Sequence, residues 1–236
     1  MTDEAFVLVH SPVVGPRTWA ATADALAQLG HRVVVPALRL APDAGPPYWK
    51  HFVDQVAEAV GVARPAIRAA TLVAHSAAGP LLPAIDDQLP VPVRCCLFAD
   101  ATLPARAGPT PVVPPQFLDR LRALARNGRL PRWSEWWGPA GISSLVPDPA
   151  LRREVEEETP SLPLAWFEET VAVPEGWPGS GCGYLQFSPP YESEAAEARS
   201  RAWPVTTLPG GHLHMLVAPT AVATALLELT EAGSVN

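Results

Sequence analysis

The sequence is poor in cysteine, in basic residues and in long apolar runs, and each shortage excludes a class of protein. Three cysteines among 236 residues are too few, and odd in number, for a disulfide framework, which favours the reducing cytosol. Asp and Glu outnumber Lys and Arg by 24 to 17, and the formal charge of −7 leaves no basic footprint for nucleic acid or an anionic membrane. No apolar run approaches the roughly 18 residues that span a bilayer, so no membrane partner is expected.

What the chain does contain is the composition of a globular protein. Hydrophobic residues make up 48% of it and charged residues 17%, which supports one large domain with an inserted subdomain. The first ten residues, MTDEAFVLVH, place acidic residues before the apolar stretch, the reverse of a secretory signal. Lys50 is the sole lysine and 29 residues are proline, a bias typical of a GC-rich bacterial genome.

Apolar segments alternate with segments of helical periodicity through the first hundred residues. The patterns predict strands at residues 5–10, 32–35, 70–75 and 94–99, and helices at residues 17–29, 48–60 and from residue 77 onward. Strands that alternate with helices at this spacing form right-handed crossovers, and therefore a mostly parallel α/β sheet. The strands are nearly all apolar, as expected when helices cover both faces.

The alternation stops between residues 103 and 181. This stretch is rich in proline and tryptophan, has helical patterns near residues 117–126 and 150–158, and shows no alternating strands. Beyond it the patterns predict strands at 183–187 and 205–208 and helices at 192–201 and 218–231. The sequence therefore predicts a core of residues 1–102 and 182–236, with residues 103–181 inserted as a helical lid.

The clearest chemical signal is the segment LVAHSAAG, residues 72–79, in which a predicted strand runs directly into a helix. Ser76 lies at the turn, with Ala74 and Ala78 two residues before and after it. A sharp turn of this kind lifts a serine hydroxyl above the sheet edge and needs small flanking residues. An ordinary helix-capping serine also fits the pattern, but a nucleophile is the preferred interpretation.

A second signal is LPGGHLHML, residues 208–216, between the last predicted strand and the last helix. A glycine-rich loop at that place allows an imidazole to reach a serine hydroxyl and act as a general base. His212 is the candidate base, and His214 lies two residues further on. A lone loop histidine is usually a surface residue, but the order serine then histidine favours catalysis here.

Together these segments resemble the α/β-hydrolase superfamily over nearly the whole chain. The resemblance rests on His10-Ser11 after the first strand, on the turn around Ser76 and on Gly210-Gly211-His212 before the last helix. The first loop and the His-Leu-His-Met-Leu pattern are similar to the small branch that includes plant-type esterases and hydroxynitrile lyases. The resemblance implies that Ser76 is the nucleophile, His212 the base and the N–H of Ala77 an oxyanion-hole donor.

The resemblance leaves two positions open for the acid of the triad. Most of the superfamily has the acid directly after the strand that precedes the histidine strand, but here SPPYE follows that strand and Glu192 comes several residues late. The other position is the end of the strand after the nucleophile helix, where Asp100 lies. Asp100 also suits a role in capping the entry to the lid. We prefer it as the acid, because open α/β sheets place their sites at the carboxyl ends of strands.

The loop after the first strand departs from the family pattern. Members have His-Gly-X there, and the N–H of X is the second oxyanion donor, whereas here Pro12 stands at X and has no N–H. Either the N–H of Val13 or the hydroxyl of Ser11 takes its place, or the reaction forms no tetrahedral oxyanion. The related hydroxynitrile lyases have a hydroxyl residue at the position of Ser11 that contacts substrate.

The sequence thus predicts a serine hydrolase for an ester, thioester or lactone of a small to medium apolar molecule. A lyase or cyclase that uses the same triad for acid–base chemistry and a ligand-binding protein on a hydrolase scaffold are the alternatives. Trp133, Trp136 and Trp137 are expected to build the lid core and to line the pocket. No cofactor is expected, and no cluster of Cys, His and carboxylates has metal-ligand spacing.

Overall fold

The computed structural model describes residues 3–138 and 141–233, and it divides into a core and an inserted segment. The first part of the core contains β1 (Glu4–Val9), α1 (Arg17–Gln28), β2 (Arg32–Val34), α2 (Tyr48–Ala63), β3 (Ala69–His75), α3 (Leu82–Gln88) and β4 (Val93–Ala99). The inserted segment contains β5 (Gly108–Pro111), α4 (Pro115–Leu124), α5 (Gly141–Leu145), α6 (Pro149–Glu158), α7 (Leu164–Phe167) and β6 (Thr170–Val173). The core resumes with β7 (Gly181–Gln186), α8 (Glu192–Ser200), β8 (Val205–Thr207), α9 (His214–Val217) and α10 (Pro219–Gly233).

The core strands form one parallel sheet in the order β2-β1-β3-β4-β7-β8. Helix α1 packs against α9 and α10, and α2 packs against α3. Every residue of β3 is buried, as a strand covered on both faces must be. Because all the strands point the same way, the loops that follow them meet at one edge, where open α/β sheets bind ligands.

Local sequence explains where the core helices begin and end. Helix α1 ends at a glycine: Gly30 has a φ of +89°, its N–H donates to the carbonyl of Ala27, and the N–H of His31 donates to that of Leu26. This arrangement satisfies the last carbonyls of the helix and needs a residue without a Cβ. Helix α2 buries Phe52, Val53, Val56 and Val60 completely, which is the spacing of one helical face.

Two glutamates of the inserted segment, the predicted lid, accept backbone N–H groups of the core. The carboxylate of Glu158 accepts the N–H of Arg17 at 2.8 Å, and that of Glu169 accepts the N–H groups of Tyr48 and Trp49 at 2.6 and 2.9 Å. These N–H groups belong to the first turns of α1 and α2, which begin after Pro16 and Pro47 and have no side-chain cap of their own. The lid therefore supplies the N-terminal caps of two core helices.

The predicted fold class is confirmed, with differences in detail. The lid is not purely helical, because β5 and β6 pair as an antiparallel ribbon. The sequence hides β5 since it contains Pro109 and Pro111, and proline is tolerated only in edge strands such as this one. Gly181, assigned to the lid above, is the first residue of β7. The helix expected from residue 77 is a 3₁₀ turn over Ser76–Leu81 before α3 begins, because Pro80 has no N–H for an α-helical bond.

The ends of the predicted domains, residues 1–2 and 234–236, and lid residues 139–140 lie outside the described part of the chain. Within that part, no helix has both the length and the apolar character required to cross a membrane. Cys95, Cys96 and Cys182 are free and buried in β4 and β7, as predicted for the first two.

Candidate active site

Ser76 lies on a strained turn at the carboxyl end of β3. Its φ is +57°, a value that residues with a side chain rarely adopt, and it is the first residue of the 3₁₀ turn that leads into α3. Ala74 and Ala78 are fully buried on either side. The backbone of Ser76 is fixed to the neighbouring loop, because its N–H donates to the carbonyl of Asp100 at 3.2 Å and its carbonyl accepts the N–H of Thr102 at 3.3 Å. This turn is the strand-to-helix elbow that the sequence predicts.

Asp100 follows β4 on the adjacent turn, with a φ of +40° and a fully buried side chain. The turn is fixed from β7: the N–H of Asp100 donates to Leu185, and the phenol of Tyr184 bonds both the N–H and the carbonyl of Ala101. One carboxylate oxygen accepts the N–H of Phe187 at 2.6 Å, and the other accepts the hydroxyl of Ser188. These hydrogen bonds offset the cost of burying the carboxylate away from water.

The carboxylate of Asp100 also contacts the imidazole of His212. The distance from Nδ1 of His212 to Oδ2 of Asp100 is 3.2 Å, and His212 lies on the glycine-containing loop after β8. Glu192, the other candidate acid, accepts instead from Gln186 and faces Arg199, so the structure does not bring it to the histidine. With Nδ1 turned to Asp100, Nε2 of His212 is the ring nitrogen that points away from the carboxylate.

Aromatic side chains surround the ring of His212. Tyr191 stacks parallel to it, with centroids 4.9 Å apart and an angle of 4° between the planes. His75 packs against it at 4.4 Å, and Trp133 of the lid approaches to 6.4 Å. His214 contacts Phe187 instead, which makes His212 the histidine of the site.

Two buried histidines in the site stay neutral. Nε2 of His75 donates to the carbonyl of His212 at 2.9 Å, and burial together with the neighbouring His212 lowers the pKa of His75 well below its usual range. Nδ1 of His10 donates to the carbonyl of Ser11, Nε2 accepts the N–H of Leu38, and burial lowers the pKa of His10 to about 4. Both are therefore fixed, uncharged hydrogen-bonding groups at neutral pH.

The loop after β1 passes beside Ser76. Val9 pairs with Ala74, so this loop and the turn of Ser76 leave neighbouring strands at the same edge of the sheet. The N–H of Val14 donates to the carbonyl of Ser11 and closes a turn with Pro12 at its second position. Among the described residues, the N–H groups of Val13 and Ala77 have no hydrogen-bond partner, and the buried hydroxyl of Ser11 has none either.

The three lid tryptophans named by the sequence have different surroundings. Trp133 is buried and faces His212. Trp136 is buried between Phe117 and Phe167. Trp137 is 41% exposed, stacks on Phe117 and lies under the guanidinium of Arg120, so the structure places it on the surface of the lid and not in a pocket. The sequence cannot distinguish a tryptophan that lines a pocket from one that pairs with an arginine at the surface.

Sequence reasoning missed three residues of the site: His75, Ser188 and Tyr191. His75, which directly precedes Ser76, bonds the carbonyl of His212 and packs against its ring. Ser188 and Tyr191 belong to the SPPYE segment that follows β7, in which the sequence pattern pointed to Glu192. Their position directly after a strand at the carboxyl edge was the available signal.

Comparisons with known proteins agree with this geometry at the level of the fold. No protein-family model matches the sequence, and the comparison with curated proteins found no match. Solved structures do match over nearly their whole length. An extracellular α/β-hydrolase from a Paenibacillus species, described as sharing structural and functional homology with tobacco salicylic acid binding protein 2, is 19% identical with a TM-score of 0.74, over 97% of this chain and 98% of that one.

Two further matches act on quite different molecules. A pyrethroid hydrolase is 18% identical with a TM-score of 0.71, over 97% of this chain and 98% of that one. A structure described for recognition and ring-cleavage of the Pseudomonas quinolone signal is 16% identical with a TM-score of 0.64, over 98% of this chain and 92% of that one. The chain has the α/β-hydrolase fold. Since that fold hosts many reactions, its own reaction must be argued from the site.

Proposed function

We propose that this protein is a serine hydrolase that cleaves an ester, thioester or lactone of a small to medium apolar substrate. Ser76 is the nucleophile, His212 the general base and Asp100 the acid that orients and stabilises the imidazolium. The observation that carries the proposal is a histidine whose Nδ1 contacts a buried, hydrogen-bonded carboxylate and whose ring stacks on Tyr191, the residue that contacts the serine of the strained elbow. A serine with a purely structural role would require neither the strained backbone nor the histidine–carboxylate contact.

The first test is labelling with a fluorophosphonate, followed by intact mass. The wild-type protein is expected to gain one adduct, and Ser76→Ala is expected to gain none. Ser193→Ala is a matched control, since Ser193 is an exposed serine of α8 that bonds Glu194 and should not affect labelling. A wild-type protein that binds ligands but is not labelled would favour a binding protein on a hydrolase scaffold.

The second test asks whether the serine and histidine act in one step. Ser76→Ala and His212→Ala should each lower kcat/KM by orders of magnitude, and the double variant should be little worse than either. Multiplicative losses would contradict a shared step. His214→Ala should be much milder, because its ring contacts Phe187 and not the triad.

A lyase or cyclase is the second candidate, and it is favoured by the loop after β1. Pro12 removes one oxyanion donor of the family pattern, and the hydroxyl of Ser11 is buried without a hydrogen-bond partner among the described residues. A missing donor costs roughly 3–4 kcal/mol of transition-state stabilisation in a serine hydrolase. The structural neighbour described for ring-cleavage shows that proteins of this fold also catalyse reactions other than ester hydrolysis.

Pro12→Gly and Ser11→Ala distinguish the two candidates on a p-nitrophenyl ester. In a hydrolase whose Val13 N–H completes the oxyanion hole, the wild type is fast and Pro12→Gly changes little. If hydrolysis is feeble and rises with Pro12→Gly, ester cleavage is not the native reaction. If Ser11→Ala then also weakens ligand binding, the hydroxyl of Ser11 contacts the substrate.

A further inference from the structure

Tyr191 brings a phenol to the nucleophile. It ends a short 3₁₀ turn, Pro189–Tyr191, between β7 and α8, and its hydroxyl oxygen lies 3.4 Å from Oγ of Ser76. Its ring stacks on the imidazole of His212. The phenol is thus held against both groups that exchange a proton in the proposed reaction.

The phenol remains protonated in this environment. Burial is the main cause, and the nearby carboxylate of Asp100 adds to it; together they raise the pKa of Tyr191 above its already high ordinary value. At neutral pH the phenol is therefore uncharged and can donate a hydrogen bond, but it cannot act as a general base.

The sheet order decides which reacting oxygen this donor faces. The loop after β1, with the free N–H of Val13, lies on one side of β3, while β4, β7 and β8 follow on the other. Tyr191 comes after β7 and His212 after β8, so both reach Ser76 from the side opposite the β1 loop. The carbonyl oxygen of a substrate turns to the β1 loop, and the leaving group turns to the histidine that protonates it.

We propose that Tyr191 is a further catalytic residue, whose phenol donates a hydrogen bond to the leaving-group oxygen during acyl transfer to Ser76; this inference rests on the proposed hydrolase function. Attack by Oγ forms the new C–O bond, and the serine proton passes to Nε2 of His212. Collapse of the adduct breaks the bond to the leaving group, which keeps the electron pair and takes the proton from His212. Tyr191 keeps its own proton throughout and stabilises the developing negative charge.

Tyr191→Phe isolates this role, because it keeps the ring stacked on His212 and removes the hydroxyl alone. The variant should be compared with wild type on esters of one acid with ethanol and with p-nitrophenol. We expect kcat/KM to fall roughly 10- to 100-fold on the ethyl ester, the usual effect of a hydrogen bond to a charged group. The loss on the p-nitrophenyl ester should be small, since that leaving group is stable as an anion.

The rate of fluorophosphonate labelling supplies an independent readout. Labelling expels fluoride, not an alkoxide, so Tyr191→Phe should be labelled at close to the wild-type rate. Equal losses on the two esters, or labelling that slows as much as ester cleavage, would overturn the assignment to the leaving group. Tyr48→Phe is the matched control, because Tyr48 begins α2 and its phenol has no described contact with the triad.

Failure of this inference is distinguishable from failure of the proposed function. If wild type is labelled at Ser76 and cleaves esters but Tyr191→Phe is unchanged, the hydrolase proposal stands and the role of Tyr191 is wrong. If wild type is not labelled, the hydrolase proposal itself fails, and this inference fails with it.

Discussion

At the scale of single residues, the proposed acid, Asp100, lies after β4, and Ser188 follows β7, where the family pattern places the acid. Ser188 donates its hydroxyl and its N–H to Asp100, and Phe187 donates a further N–H. The end of β7 therefore holds a carboxylate that belongs to a different strand. Residues after β7 can bind a carboxylate that follows β4 because the two strands are neighbours in the sheet.

Asp100→Asn is expected to reduce kcat/KM by roughly 10²–10⁴-fold, because an amide favours the wrong imidazole tautomer and cannot stabilise imidazolium. Glu192→Gln should be close to neutral, since its carboxylate bonds Gln186 and Arg199. Steady-state kinetics on one ester decides between them. The reverse ranking would move the acid to Glu192.

At the scale of secondary structure elements, the elbow depends on a glycine as well as on Ser76. A Cβ on Gly79 would lie 1.9 Å from the carbonyl oxygen of Thr102, which is fixed backbone. The close approach of the 3₁₀ turn to the loop after β4 is what brings Ser76 and Asp100 together, so this glycine is required by packing.

Gly79→Ala should therefore destabilise the fold by several times the 0.5–1 kcal/mol that separates glycine from alanine in a helix, and it should reduce labelling of Ser76. Gly61→Ala is the matched control: a Cβ there meets nothing within 4 Å, and it lies inside α2, where alanine is expected to be stabilising. Urea denaturation of both variants measures the difference. A stable, fully active Gly79→Ala protein would contradict the close packing.

The lid glutamates provide a second prediction at this scale. Glu169 accepts two N–H groups of the first turn of α2, so Glu169→Gln should lower the free energy of unfolding by about 1 kcal/mol and the Tm by a few degrees. Glu157→Gln removes the same charge from an exposed position of α6 and should leave the Tm unchanged. Equal shifts would point to net charge and not to capping.

At the scale of the whole molecule, the buried histidines set the response to pH. His10 titrates near pH 4 when folded but near 6.5 when unfolded, so the unfolded chain binds more protons between these values. The stabilisation from neutral His10 is fully present above pH 6.5 and is lost as the pH falls to about 4. It amounts to about 3 kcal/mol, and His75, whose pKa is also lowered, adds in the same direction.

Urea denaturation from pH 7.5 to pH 4.5 should accordingly show a steady loss of stability. His10→Gln should flatten this slope, even if it lowers stability at neutral pH. His51→Gln, on the partly exposed face of α2, should leave the slope as in the wild type. Equal slopes for the three proteins would show that groups other than His10 control the acid response.

The strands, most helices and the strained turn at Ser76 were predictable from local sequence patterns. Periodic apolar segments are local properties, so the six core strands and helices such as α2 could be predicted to within a few residues. The turn around Ser76 was predictable for the same reason: the small residues it needs lie two positions away in the chain. The proline-rich β5 was missed because its pairing partner, β6, lies about 60 residues further on.

The remaining parts of the site come together in the folded protein alone. Residues from the ends of β3, β4, β7 and β8 meet there, and their contacts depend on strand order and register, which no local pattern encodes. The sequence favoured Asp100 over Glu192 but left both carboxylates possible. In the folded protein β4 and β7 are neighbours, and Asp100 is the carboxylate that contacts His212. In the sequence Tyr191 cannot be distinguished from any other aromatic residue in a loop. Its phenol contacts Ser76 because the two segments pack together, and sequence spacing does not encode such a contact.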